Sequence, residues 1–181
     1  MAKTRQRTFA PLPLGDTFYA RLSHTAEKVG LAKLDEAGLA RAVAAVSRAY
    51  TRDRAELDLQ ATQREAHTAR AHFFLPRDLV KVLGPVRDLA RLGLLPAART
   101  LRVLDVGAGL GSSTLGLSRG LAELGTGQRL EVLALERDAG ALAFFRGLSR
   151  ELGAQPEFAP FSLEARDMDV TTKLPEGKFD V

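Results

Sequence analysis

Three glycines at alternate positions, Gly107, Gly109 and Gly111, follow an apolar run that ends in an acid, within LRVLDVGAGLGSSTLGL (residues 101–117). Where a strand turns sharply into a helix, glycine permits backbone angles and a close ligand approach that a Cβ would block. The helix that follows presents unpaired N–H groups and the positive end of its dipole, which suit a carboxylate or a phosphate. Two details narrow the ligand. A dinucleotide turn reads G-x-G-x-x-G, and the sixth position is Ser112, so that fingerprint fails at its last glycine. Asp105 stands two residues before the first glycine. An anionic side chain is unfavourable beside a pyrophosphate and favourable beside an ammonium group.

A second acid follows at a telling distance. LEVLALERD sets Glu136 at the end of another strand-like run, 27 residues after Gly109. A carboxylate at that place accepts hydrogen bonds from both hydroxyls of a ribose. A third run, FSLEARDMDV (161–170), ends with Asp167 and Asp169.

VLDVGAGLG, Val103 to Gly111, resembles the first motif of class I S-adenosylmethionine-dependent methyltransferases. The resemblance implies that Asp105, Gly107, Ala108, Gly109 and Gly111 line the methionine part of S-adenosyl-L-methionine. Asp105 would hold its ammonium group directly or through water. It also implies that Glu136, with Arg137 beside it, serves the ribose, and that either Asp167 or Asp169 accepts from the adenine amino group. LPEGKFDV resembles that family's approach to a fourth strand.

HTARAHFFLPRDLVKVLGPVRDL (67–89) is similar to the segment ahead of this motif in the small-ribosomal-subunit methyltransferase-like family of bacteria and mitochondria. The likeness lies in an aromatic pair before a proline, a lysine two residues after Leu79, and a leucine-spaced helix. It implies the small ribosomal subunit or its rRNA as partner. That family's metal-binding cysteines have no counterpart in these residues, so no metal is expected. In class I methyltransferases the acceptor-binding and catalytic residues usually follow the fourth strand, at which this sequence stops. The catalytic residues are therefore unassigned, and the sheet is expected to need the remainder of a longer chain, or a partner, to complete it. A non-catalytic ribosome-assembly factor that keeps the fold is the alternative; an NAD(P)-dependent oxidoreductase is disfavoured by Ser112 and Asp105.

These residues need an α/β scaffold. LRVLDV (101–106) reads as a buried strand, Ser112 to Leu124 as a helix closed by Gly125 and Gly127, and RLEVLALE (129–136) as a second strand. Asp138 suits the cap of a helix carrying Leu142, Phe145, Leu148 and Leu152, which Gly153 ends. With the third strand and the opening of a fourth at 178–181, residues 101–181 are expected to form the first half of a Rossmann-like sheet, truncated at the fourth strand. Residues 16–96 are expected to be helical. Asp35 and Glu36 start a helix whose apolar face is Leu39, Val43, Val46 and Tyr50; a more polar helix spans 53–74; a third places Leu79, Leu83, Val86 and Ala90 on one face. Pro85 should kink or split that third helix. Residues 1–15 read as a basic flexible arm.

Composition bounds the rest. Net charge is +4, but residues 1–100 hold 17 Lys and Arg against 10 Asp and Glu, whereas residues 101–181 hold 9 against 12. A basic front end ahead of an acidic glycine-bearing half is suited to an anionic partner such as RNA. No run approaches the ~20 apolar residues that cross a bilayer, and without cysteine there are no disulfides; a cytoplasmic protein is expected. His67 and His72, five apart, miss the spacing that sets two ligands on one helix face, and read as surface or packing histidines. Phe73 and Phe74 are candidates for base stacking, with at least one expected to pack the helices against the sheet. Ser112 and Ser113 lack a nucleophile elbow and suit a helix start.

Overall fold

The computed structural model describes residues 14–52, 64–171 and 175–181. Almost all of the basic arm, residues 53–63 of the polar helix, and residues 172–174 lie outside the described residues. The fold is α/β. Helices α1 (Gly15–Lys28), α2 (Glu36–Arg52) and α3 (Arg64–Ala69) lead through a π-helical turn (Arg70–Phe74) into α4 (Leu75–Arg91). Then β1 (Thr100–Val106), α5 (Ser112–Glu123), β2 (Arg129–Glu136), α6 (Ala139–Leu152) and β3 (Phe161–Asp167) alternate. The three strands are parallel in the order β1-β2-β3, consistent with half of a Rossmann-like fold.

Local chemistry explains the boundaries. Asp35 accepts from Gly38 N at 2.7 Å and opens α2, and Asp138 accepts from Ala141 N at 2.9 Å and caps α6. Gly125, at φ +63°, closes α5, with its N–H on Ala122 O and that of Thr126 on Leu121 O. Residues 180–181 lie along the outer edge of β1. Asp180 N donates to Arg102 O at 2.8 Å and Leu104 N to Val181 O at 3.0 Å, while the sheet among the described residues keeps three strands.

Three expectations need correction. Pro85 does not split α4, which runs unbroken from Leu75 to Arg91. Gly84 ahead of it has no Cβ to meet the pyrrolidine ring, and Pro85 sits on the exposed face, where water replaces the lost hydrogen bond. Tyr50 is not on the core face of α2; it is 51% exposed, and Ala42 and Ala49 join Val46 as the buried residues of that helix. β1 is covered on one face only: Leu101, Val103 and Asp105 are buried, while Arg102 and Val106 face outward.

One apolar core joins the helical front to the sheet. Phe18 and Leu22 of α1, Leu75, Leu79 and Val86 of α4, and Phe144, Phe145 and Leu148 of α6 share it with Leu101, Val103, Leu130 and Val132. α1 packs along α6 and α4 along α5. The second contact is tight because Gly116 and Gly120 present no side chain to α4. A Cβ on Gly116 would stand 2.6 Å from Leu79 O and 2.7 Å from Val82 Cβ.

The sign of one substitution follows. Alanine is favoured over glycine in a helix by ~1 kcal/mol, yet Gly116→Ala drives a methyl group into a backbone carbonyl, an overpacking that costs about 2–3 kcal/mol. Gly116→Ala is therefore expected to lower the urea midpoint despite its gain in propensity. An unchanged or raised midpoint would show that α4 does not seat on α5 at this point.

Candidate functional site

The glycine turn forms at the carboxyl end of β1. Gly107, Gly109 and Gly111 have φ of +68°, +53° and +90°, angles that side chains rarely adopt. Gly111 is also pinned by packing, since a Cβ there would lie 2.2 Å from the Phe145 ring. Asp105 lies beneath the turn and is buried; Thr114, in the first turn of α5, donates its hydroxyl to Oδ2 at 2.7 Å. Burial pushes the Asp105 carboxyl above its ordinary value. The Thr114 bond opposes that shift and the nearby Glu136 charge adds to it.

Glu136 ends β2 and reaches across to the turn. Its Oε2 accepts from Gly109 N at 2.9 Å, while Oε1 accepts from Arg137 N at 2.9 Å and Asp138 N at 3.1 Å. Two carboxylate oxygens offer about four acceptor positions, so Oε2 keeps capacity for a further donor.

Between the turn and the helical front lies an open cavity of about 400 Å³. Gly107, Ala108, Gly109, Leu110, Ser112 and Glu136 line one side, and Ser47, Tyr50, Thr51, Arg70, Phe74, Leu75, Arg77 and Asp78 the other. Of the residues expected at the site, Gly107, Ala108, Gly109 and Glu136 meet on its wall. Asp105 and Gly111 support the turn from behind. Asp167 is exposed at the end of β3, in register with Glu136. Asp169 lies two residues further on and accepts from Thr171 N and Oγ1 at 2.9 and 2.7 Å. Arg137 is exposed beside Glu136. Neither Asp167, Asp169 nor Arg137 lines the cavity.

The second wall was not legible from motif spacing, and its anchor is an ion-pair cluster. Asp138 Oδ2 receives His67 Nε2 at 2.8 Å and Arg70 Nη1 at 2.7 Å, with the His67, Arg70 and Asp138 side chains only 11%, 16% and 11% exposed. His67 is thus a packing residue bound to a carboxylate. Burial alone would raise the Asp138 pKa. The bonds from His67, Ala141 N and Arg70 outweigh it and hold the carboxyl well below the usual range. Arg77 forks onto Asp78 at 2.8 and 3.0 Å and lies over the Phe74 ring at 4.6 Å. Phe74 packs against the α2–α3 cluster, and Phe73 is 44% exposed.

No protein-family model, curated protein or solved structure matches the chain. Function is therefore read from this geometry. Among the described residues no group of acids and histidines could hold a metal, and no helix is long and apolar enough to cross a membrane.

Asp138 makes a pH signature. Its folded pKa is depressed, so its contribution is complete above the ordinary aspartate value of 3.8 and is lost as pH falls toward the folded pKa. Asp138→Asn keeps the cap on Ala141 but leaves Arg70 and His67 without their acceptor, at a cost of about 3 kcal/mol at neutral pH. Urea unfolding across pH is expected to show a steep acid loss in the wild type and a shallower one in the variant. Identical acid profiles would refute the cluster's role.

Proposed function

We propose that the chain binds S-adenosyl-L-methionine and serves methyl transfer to the small ribosomal subunit or its rRNA. The observation that supports the reading best is the meeting of a three-glycine turn of positive φ with the Glu136 carboxylate at the carboxyl ends of adjacent parallel strands. Ligands of open α/β sheets bind at that end. The cavity there, about 400 Å³, falls within the ~300–1,000 Å³ of small-molecule sites.

The residues fit the group by chemistry. Glu136 Oε2 accepts a ribose hydroxyl, and the Gly107–Gly109 backbone lets the ligand approach without a Cβ in its path. Asp105, buried under the turn, supplies negative potential beneath an ammonium group. Asp167 or Asp169, at the end of the third strand and outside the cavity lining, would serve the adenine amino group. Bound there, the cofactor supplies an electrophilic sulfonium methyl. The chain's own part would be to hold and orient it, with Tyr50 and Arg77 lining the cavity opposite the glycine turn. The basic helical front, with exposed Phe73, supports an RNA-bearing partner.

Calorimetric titration tests the reading. S-adenosylmethionine is expected to bind and NAD not to bind. Gly109→Val and Glu136→Ala are each expected to weaken binding at least about tenfold, the value of one charge-assisted hydrogen bond. NAD binding without S-adenosylmethionine, or unchanged affinity in both variants, would overturn it. Transfer of labelled methyl from S-adenosylmethionine to isolated small ribosomal subunits tests the acceptor.

A further inference from the structure

We infer that Arg70, carried by the π-helical turn of the helical front, receives the carboxylate of the ligand's amino-acid end. The inference rests on the S-adenosylmethionine reading and adds to it an anion subsite contributed from outside the sheet. A zwitterionic end needs a cation as well as an acid. Asp105 underlies the turn, and two guanidinium groups line the cavity. Arg77 is forked onto Asp78 through Nε and Nη2, with its side chain 44% exposed, so its charge is already paired and is screened by solvent.

Arg70 is placed differently. Its Nη1 rests on Asp138 at 2.7 Å, which fixes the plane of the guanidinium. Its Nη2 extends to the glycine turn, 3.3 Å from where a Cβ on Gly109 would stand. One edge of a rigid five-donor fork is thus anchored, and the adjoining nitrogen reaches the space that glycine keeps open. The side chain is 16% exposed, so a charge-assisted bond formed there is weakly screened. Glu136, an anion on the opposite wall, is held by three backbone N–H groups. The π turn begins at Arg70 itself, between the α3 residue that meets Asp138 and the α4 residues that meet α5. Wide helical turns of this kind recur at functional sites because they reorient side chains.

The test compares two ligands on the purified protein by calorimetry: S-adenosylhomocysteine, and 5′-methylthioadenosine, which lacks the amino-acid end. Wild type is expected to prefer S-adenosylhomocysteine. Arg70→Met is expected to weaken S-adenosylhomocysteine about 10- to 100-fold more than it weakens 5′-methylthioadenosine. Arg70→Lys, which keeps the charge and loses the fork, is expected to fall between. Retained 5′-methylthioadenosine binding shows that the cavity is intact in each variant. Equal weakening of both ligands would make Arg70 structural and overturn the inference, as would unchanged S-adenosylhomocysteine affinity. If wild type bound neither ligand, the cofactor reading itself would fall.

Discussion

The Asp138 carboxylate holds three donors at once, and the cavity exists because it does. Its Oδ1 caps α6 through Ala141 N, and its Oδ2 draws in His67 and Arg70 from 71 and 68 residues earlier in the chain. A carboxylate so little exposed is costly unless paired and hydrogen-bonded, so the charge enforces docking of α3 and the π turn against the start of α6. Gly140 is part of the same constraint, since a Cβ there would stand 2.8 Å from His67 Cε1. Asp138 also follows Glu136 by two residues, and its N–H binds the Glu136 carboxylate. One short stretch thus fixes both the acid of the cavity floor and the helical wall opposite.

The turn itself is fixed from three sides. Phe145 of α6 occupies the space a side chain on Gly111 would need, Thr114 of α5 ties down Asp105, and Gly107 and Ala108 donate to Leu135 O on β2 at 2.8 and 3.0 Å. Three neighbouring elements therefore determine a backbone path that only glycine follows without strain. Asp105 belongs to this framework more than to the cavity wall. An acid kept under a turn, with burial opposing its charge, is one that a cation above the turn would stabilise in its ionised form.

Much of this was legible in the sequence wherever local chemistry decides the outcome. The alternation of apolar runs with glycine and Asp138 marked the strands and α6 to within a few residues, because caps and turns act over three or four positions. Glu136 was legible as well, since a strand-end acid behind a glycine turn has few other places to go. The second wall was not. His67, Arg70 and Arg77 acquire meaning only through partners or neighbours that periodicity does not reveal, and a π turn has no composition of its own. Pro85 misled for a related reason: whether proline breaks a helix depends on which face it occupies and on the Cβ of the residue before it.

The charge asymmetry of the chain takes on a second meaning in three dimensions. Arg21 and Lys28 of α1 meet Glu151 at 2.8 and 3.6 Å, Arg87 of α4 meets Glu123 at 2.6 Å, and Arg70 meets Asp138. Part of the basic excess of the front half is thus spent on the acidic half behind it. These pairs differ in worth. Arg21 and Lys28 are 44% and 65% exposed, and pairs of that kind contribute about 0–1 kcal/mol. The Arg70–Asp138 pair is nearly enclosed, and the carboxylate is also bonded to His67 and Ala141 N. Screened outer pairs open at little cost, whereas the enclosed pair does not. The enclosed pair therefore contributes more than the outer ones to seating the helical front against the start of α6.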